Sequence, residues 1–413
     1  MIPRSHSVLF VVLLVATGCG PGMSQWDPLS QTVPQPQLPA GYDPNDPYDL
    51  YRYGESLLER SPDQAANAFY WASRLDPLWA DPLYARRTAL FMTNPDLYYD
   101  YLFDRRRVRN VKGVAGLDSL LYRALSMNPF LQRKLDVIAI RSAMVARIER
   151  ELQRAGYTGA QVSRGELETF LEREMSRSSP EVRAWVAEGD GRLHDARDLY
   201  SAAVNRRKDD PNLRADLARV QYLTGAIDDA LRSYESALAL LREKDEEELV
   251  GLYQPKMLLE YSIGMILEGR GDVEGARDAY ARALQEDLSY APAHIQLAQL
   301  ALAEGDTATA LSEFALAVSV APEDAGIRYL NGSILAQAGR LEEAEAELRQ
   351  ATELEPLFAA PYRELAEVLE RQGRMADAAA MYREYLSRAS RRAEDRQEVE
   401  RRLQRLAAAE GGR

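Results

Sequence analysis

The residue types that carry most protein chemistry are scarce in this chain. Histidine occurs three times, as His6, His194 and His294, and cysteine once, as Cys19. His194 falls in a polar turn between helical stretches and His294 near the start of another. Neither has a nucleophile or ligand at a workable spacing, so both read as surface or packing residues. A single cysteine builds neither a disulfide framework nor a Cys-based zinc site. No GxxxxGK[ST] phosphate loop, HExxH helix or GxSxG elbow occurs. Carboxylates abound, but a pair of them means little without a pocket. The reading is therefore of no catalytic residue, no metal ligand and no cofactor. With 51 Lys plus Arg against 64 Asp plus Glu, the formal charge of −13 argues against an electrostatic grip on nucleic acid.

Cys19 stands where chemistry is expected of it. The start, MIPRSHSVLFVVLLVATGCG, has a short leader with Arg4, an apolar run from Val8 to Ala16, then small residues. A run that short spans roughly 14 Å as helix, against about 30 Å for a bilayer core, so it is no stable transmembrane anchor. The layout is that of a secretory signal. Ala16, Thr17 and Gly18 before Cys19 resemble the lipobox of bacterial lipoproteins, with Ala16 where leucine is commonest. The resemblance implies lipidation of Cys19 as the mature N-terminus, and Gly20 after it implies an outer-membrane destination facing the periplasm. Cleavage with Cys19 left as a free thiol is the alternative. Seven prolines between Pro21 and Pro47 make the following stretch an extended, mostly unpacked tether. Trp26 within it is either a docking aromatic or an ordinary linker residue.

The elements behind these residues repeat. Glycines at 191, 225, 271, 305, 339 and 373 are spaced by 34, 46, 34, 34 and 34 residues. Five residues after each comes Ala196, Ala230, Ala276, Ala310, Ala344 or Ala378. Four further on stands Tyr200, Tyr234, Tyr280, Phe314, Leu348 or Tyr382. Three further again come Ala203, Ala237, Ala283, Ala317 and Ala351, with Tyr385 breaking the series. Positions i, i+4 and i+7 share one helical stripe, so small residues admit a neighbouring helix and the large one fills the space beside them. The helix before each glycine has its own small residue: Ala184, Ala218, Gly264, Ala298, Gly332 and Ala366. Each unit is a helix hairpin that buries its apolar face only by stacking.

The period, the central turn and the small–aromatic–small stripe resemble the tetratricopeptide repeat, best in residues 291–324 with Pro322 at the end. The family's first-helix tryptophan is replaced by Pro180, Arg214, Glu260, His294, Arg328 and Tyr362. The resemblance implies an all-α, right-handed superhelical solenoid of helix-turn-helix units behind a disordered N-terminal tether. It also implies a groove lined by the first helices that takes extended peptides or helices. By register that groove would hold Trp185, Arg219, Tyr222, Tyr261, Met265, Ile295, Gln299, Tyr329 and Ser333. Aromatic, Met and Arg side chains suit interface centres, although each could equally pack between hairpins. With only five lysines, a lysine-rich carboxylate clamp is not supported.

The irregular step of 46 marks an insertion near 242–256, expected to lengthen the helix around Leu238–Leu241 and add a charged loop. Upstream the pattern decays. Gly54, Ala65, Phe69, Ala72 and Pro77 repeat the unit's logic, as do Leu121, Ala124 and Pro129. Residues 93–112 join Tyr98, Tyr99, Tyr101 and Phe103 to a basic run, expected as a packed helix and a solvated loop, with contact to anionic lipid or an acidic partner as the alternative. Val399, Leu403 and Leu406 mark a capping helix. The expected division is a signal at 1–18, a tether at 19–48, a degenerate repeat-like region at 49–177 continuous with the array, six repeats at 178–390 and a cap with tail at 391–413. The function expected is a non-enzymatic, lipid-anchored scaffold that recruits or helps assemble envelope proteins, with no nucleic-acid partner. The alternative is an enzyme or glycan-binding module whose site forms where residues 93–177 meet the array, which requires a pocket with convergent polar groups.

Overall fold

The computed structural model describes residues 26–103, 107–108, 110–157, 163–243 and 255–411. It holds twenty α-helices and, among the described residues, no strand. The N-terminal set is α1 (Pro47–Leu57), α2 (Pro62–Leu75), α3 (Asp81–Met92), α4 (Pro95–Phe103), α5 (Lys112–Met127), α6 (Asp136–Arg154) and α7 (Arg164–Ser176). Six hairpins follow: α8 (Pro180–Gly189) with α9 (Leu193–Arg206), α10 (Pro211–Leu223) with α11 (Ile227–Glu243), α12 (Lys256–Gly269) with α13 (Val273–Glu286), α14 (Ala291–Ala303) with α15 (Thr307–Val320), α16 (Ala325–Gln337) with α17 (Leu341–Leu354), and α18 (Ala360–Arg371) with α19 (Met375–Arg388). The last helix is α20 (Arg396–Gly411).

Each hairpin is built as its stripe dictates. All six turn glycines have positive φ, between 75° and 80°, a region costly for any residue with a Cβ. At the turn after α14, Gly305 N–H donates to Leu302 O (3.0 Å) and Asp306 N–H to Ala301 O (2.8 Å), which closes the helix end. Asp306 then starts α15 by accepting from Thr309 N–H at 3.0 Å. The six stripe alanines, Ala196 to Ala378, are wholly buried, and Tyr234, Tyr280, Leu348 and Tyr382 beside them are equally so. The close approach is real: a Cβ on Gly264 would lie 2.4 Å from the Tyr280 ring. In the last hairpin Tyr385 is buried where the others have alanine, and Val399 and Leu406 of α20 cover that end. α11 has 17 residues against 14 in α9, α13, α15, α17 and α19, so the insertion does lengthen it. The remainder of the insertion, residues 244–254, lies outside the described residues.

The N-terminal helices reuse the same unit once. A Cβ on Gly54 of α1 would lie 2.6 Å from the Phe69 ring of α2, and Ala65, Phe69 and Ala72 are fully buried. The expected continuity with the array is incomplete, however, because this region doubles back along it. Asp43, Asp46 and Asp49 meet Ser390, Arg391 and Arg392 beyond the last repeat. Arg74 forms a two-pronged pair with Glu355 (2.9 Å each), Arg123 meets Asp324 (2.8 Å), and Phe130 stacks on Tyr222 at 3.7 Å. Order along the N-terminal region thus runs opposite to order along the repeats. The tether is likewise held where it is described. Trp26 stacks near Phe91, its carbonyl accepts from Gly113 N–H (2.8 Å), and Trp71 Nε1–H donates to Pro34 O at 3.1 Å. Proline keeps that stretch extended, as expected, and residues 31–42 stay largely exposed between these contacts.

Candidate functional site

The segment between α5 and α6 joins the two layers. Asn128 accepts from Phe130 N–H (3.0 Å), which turns the chain and presents the Phe130 ring to Tyr222. The Tyr84 hydroxyl oxygen accepts from both Leu135 and Asp136 N–H at 3.0 Å, satisfying amides at the start of α6. α6 then lies so close to α8 that a Cβ on Gly189 would be 2.1 Å from Val137 Cγ1.

A buried charge network fixes this junction. Arg219 is 1% exposed and donates to Glu188 through both terminal nitrogens, at 2.5 and 2.9 Å, and to Leu131 O at 3.2 Å. Glu188 also accepts from Arg133 N–H (3.1 Å) and Tyr200 O–H (3.3 Å). Arg133 reaches Asp216 at 3.3 Å. Burial alone would raise the Glu188 carboxyl, but the Arg219 charge and hydrogen bonds, with Arg133, outweigh it and hold the pKa below the usual range. Burial would lower Arg219; Glu188 outweighs it and raises it. Across the junction Arg87 donates to Tyr101 O–H (3.1 Å), Tyr101 donates to Asp118 (2.6 Å), and Arg87 lies 3.8 Å from Asp136. Burial raises the Asp136 carboxyl despite Arg87 and Arg133.

Between these two networks lies a cavity of about 710 Å³. One wall comes from α3 to α6, including Tyr98, Tyr101, Tyr122 and Asp136, and the other from α8 to α10, including Trp185, Glu188 and Arg219. This is the juncture between residues 93–177 and the array where the alternative reading required a pocket.

The nine groove residues fare differently along the array. Trp185 is half-buried on the cavity wall. Arg219 is committed to Glu188, Tyr222 is covered by Phe130, and Tyr261 is 3% exposed, packed on Tyr280 and Tyr290 with its hydroxyl accepting from Gln296 at 3.3 Å. Those three are corrected: the first repeats' face is occupied by the chain itself or by neighbouring repeats, and offers no free groove there. Met265 is partly buried against the same core. Farther along, Gln299 is exposed, and Ile295, Tyr329 and Ser333 are half-buried. Ser333 Oγ has no hydrogen-bond partner, and Tyr329 lies edge-on to Phe358 at 5.2 Å. Sequence reasoning missed Glu188. Its signal was a Glu twelve residues before a stripe tyrosine, shared with Glu268 and Tyr280 (2.6 Å) and Glu370 and Tyr382 (2.7 Å). Of the histidines, His194 is exposed, and His294 is buried with Nδ1 2.7 Å from Glu313, a packing role. Tyr98 and Tyr101 pack on Phe91 at 4.8 and 4.6 Å, whereas much of the basic run after them lies outside the described residues. Cys19 and the leader lie outside them as well.

Comparison with known proteins bears on the array. Residues 182–245, 295–354 and 329–394 match the family model of the tetratricopeptide repeat. No curated protein matches the chain in sequence. Among solved structures it is similar to YrrB, described as a TPR protein with an unusual peptide-binding site: 20% identity, 46% of this chain, 91% of that one, TM-score 0.35. It is similar to TTC0263, a thermophilic TPR protein of Thermus thermophilus, at 22% identity over 48% of this chain and 100% of that one, TM-score 0.33. It is also similar to the APC/C hetero-tetramer Cut9–Hcn1, at 16% identity over 87% of this chain and 76% of that one, TM-score 0.39. The assignment rests on the matched residues together with the six hairpins, their positive-φ turn glycines and their buried alanine stripes. By these features residues 182–245 and 295–394 of the chain are built of tetratricopeptide repeats.

Proposed function

We propose that this protein is a lipid-anchored scaffold of a bacterial envelope, held through Cys19, most simply at the outer membrane facing the periplasm, and recruiting a partner protein with the later repeats. The supporting observation is the contrast along the first-helix face. The N-terminal layer and neighbouring repeats cover Arg219, Tyr222 and Tyr261, while Ile295, Gln299 and Tyr329 keep a mixed apolar and polar surface within reach of solvent. A half-buried tyrosine with adaptable polar neighbours suits the centre of a peptide or helix interface. Anchoring rests on the leader, the small residues before Cys19 and the proline-rich stretch after it. Among the described residues no helix is long and apolar enough to cross a membrane.

The test is site-specific photocrosslinking in intact envelopes. A photoreactive residue at Gln299 is expected to trap a discrete partner, and one at exposed Arg232 on α11 to trap none. Equal trapping from both positions contradicts the assignment of this face. Labelling with radioactive palmitate is expected for the wild type and absent in Cys19→Ser; an unlabelled wild type ends the lipid-anchor part alone.

A further inference from the structure

One arginine of the N-terminal layer lacks a counter-charge. Arg86 of α3 is half-buried, yet among the described residues it donates no hydrogen bond and has no carboxylate within ion-pair distance. Its guanidinium lies over the Tyr70 ring, 4.4 Å from the centroid. Unlike the sealed Nε atoms of Arg87 and Arg219, its nitrogens remain open to solvent. Burial holds its pKa below the ordinary value, with only Tyr70 acting the other way.

Arg86 opens into a recess of about 430 Å³ between α2, α3, α5 and the tether, on the outer side of the layer from the larger cavity. The lining holds one more arginine, Arg74, and no acidic residue. Arg74 is already neutralised by Glu355 at 2.9 Å, so the recess keeps one unit of positive charge in a chain whose net charge is −13. A partly desolvated charge without a partner is costly, and an oxyanion entering the recess relieves that cost.

The remaining walls narrow the class of anion. Leu120, Val33 and the Trp71 ring set an apolar surface beside the charge, and the indole N–H is already used by Pro34 O at 3.1 Å. One free guanidinium fork matches the two oxygens and single charge of a carboxylate, whereas a phosphate dianion would be half unmatched. The tether wall is extended at Gln31 (ψ 144°), and Thr32 and Val33 N–H donate to nothing among the described residues. An extended peptide backbone can pair along such an edge, which a lipid headgroup does not do.

We propose that this recess binds an acidic peptide, one carboxylate of which pairs with Arg86 while a neighbouring apolar side chain rests on Leu120 and Trp71. The site shares no residue with the partner face on the later repeats, and it requires neither that face nor the lipid anchor.

The test is phage display of random heptapeptides, panned in parallel on the wild-type full chain and on Arg86→Gln, followed by calorimetry with the synthetic peptides. Wild type is expected to enrich sequences with Asp or Glu beside an apolar residue, and Arg86→Gln not to. Binding of those peptides should fall about tenfold or more in Arg86→Gln, the loss of one charge-assisted contact, and as much when the peptide carboxylate becomes its amide. The two losses should not add, because they remove the same contact. Arg183→Gln, at an exposed arginine of α8, should leave binding unchanged. Leu120→Ser should weaken it several-fold, and serves as the second variant should Arg86→Gln disturb the helical circular dichroism. No acidic enrichment on wild type, or equal enrichment on Arg86→Gln, overturns the proposal. Arg86-dependent binding of inorganic phosphate or phosphatidylglycerol vesicles that exceeds that of every selected peptide overturns it as well.

Discussion

Removing the Glu188 charge is the perturbation whose consequences follow most directly from the structure. Glu188→Gln keeps the shape of the side chain but leaves the Arg219 guanidinium, 1% exposed, without its two-pronged partner. Breaking a buried pair from one side costs about 3–5 kcal/mol. Asp216 remains 3.6 Å from Arg219, so the low end, about 3 kcal/mol, is expected. Arrays of this kind do not unfold as one unit, so the loss appears locally. At 1.36 kcal/mol per factor of ten, about 3 kcal/mol is roughly a 100-fold rise in opening. Hydrogen exchange should register it at Arg133 N–H, which donates to Glu188, and in α8 and α10, with the last repeats unaffected. Acid dependence has a definite sign. The folded pKa of Glu188 is depressed, so its stabilisation is present above the ordinary value of about 4.3 and is lost as pH falls through the folded pKa. Glu188→Gln abolishes that contribution. The double change Glu188→Gln with Arg219→Met, which removes both charges of the pair, should recover most of the loss. A single variant that exchanges like the wild type, or a double variant no better than the single, refutes the reasoning.

Other consequences are simpler to state. Gly305→Ala, at φ +80°, should cost about 1–2 kcal/mol by urea denaturation, whereas Gly165→Ala, in α7 with open space around it, should be neutral or stabilising by up to about 1 kcal/mol. Ala310→Leu, at a fully buried stripe position against Phe314, should destabilise by about 1–3 kcal/mol through overpacking, seen as a lower midpoint with unchanged m-value. Replacing Arg391 and Arg392 together by Ser removes their side-chain ion pairs to Asp43 and Asp49, leaving the Arg391 N–H bond to Asp43 in place, and should speed amide exchange at the start of α1 without altering the middle repeats.

What the sequence showed was whatever recurs. The turn glycines, the alanines and the aromatic beside them recur because every hairpin meets the same steric problem, so six instances in phase speak together. Phe130 occurs once, and its stacking partner Tyr222 is distant in sequence with nothing local to mark the pair. The fold-back of the N-terminal layer was therefore not legible, and Arg219, Tyr222 and Tyr261 were placed in an open groove that is filled. Arg219 is instructive: an arginine at an interface-like position reads as exposed until its carboxylate is found. The tie from Glu188 to Tyr200 was legible in principle, since Glu268 with Tyr280 and Glu370 with Tyr382 show the same spacing. The tether's proline content reported its extended backbone correctly and said nothing of the surface it lies on, because contacts such as Pro34 O with Trp71 are set by the helices beneath.

The fold-back itself is the claim on which the cavity and the division of the array both depend. Crosslinking tests it most directly. With Cys19→Ser as background, cysteines replace Asn45 and Ser387, whose side-chain amide and backbone carbonyl lie 3.0 Å apart across the closure. A short bismaleimide should join them rapidly within one molecule and should fail to join Asn45→Cys to a cysteine at Ser201, near the opposite end of the repeats. Failure of the 45–387 pair in a chain whose helical circular dichroism is intact would contradict the fold-back, and with it the cavity between the layers.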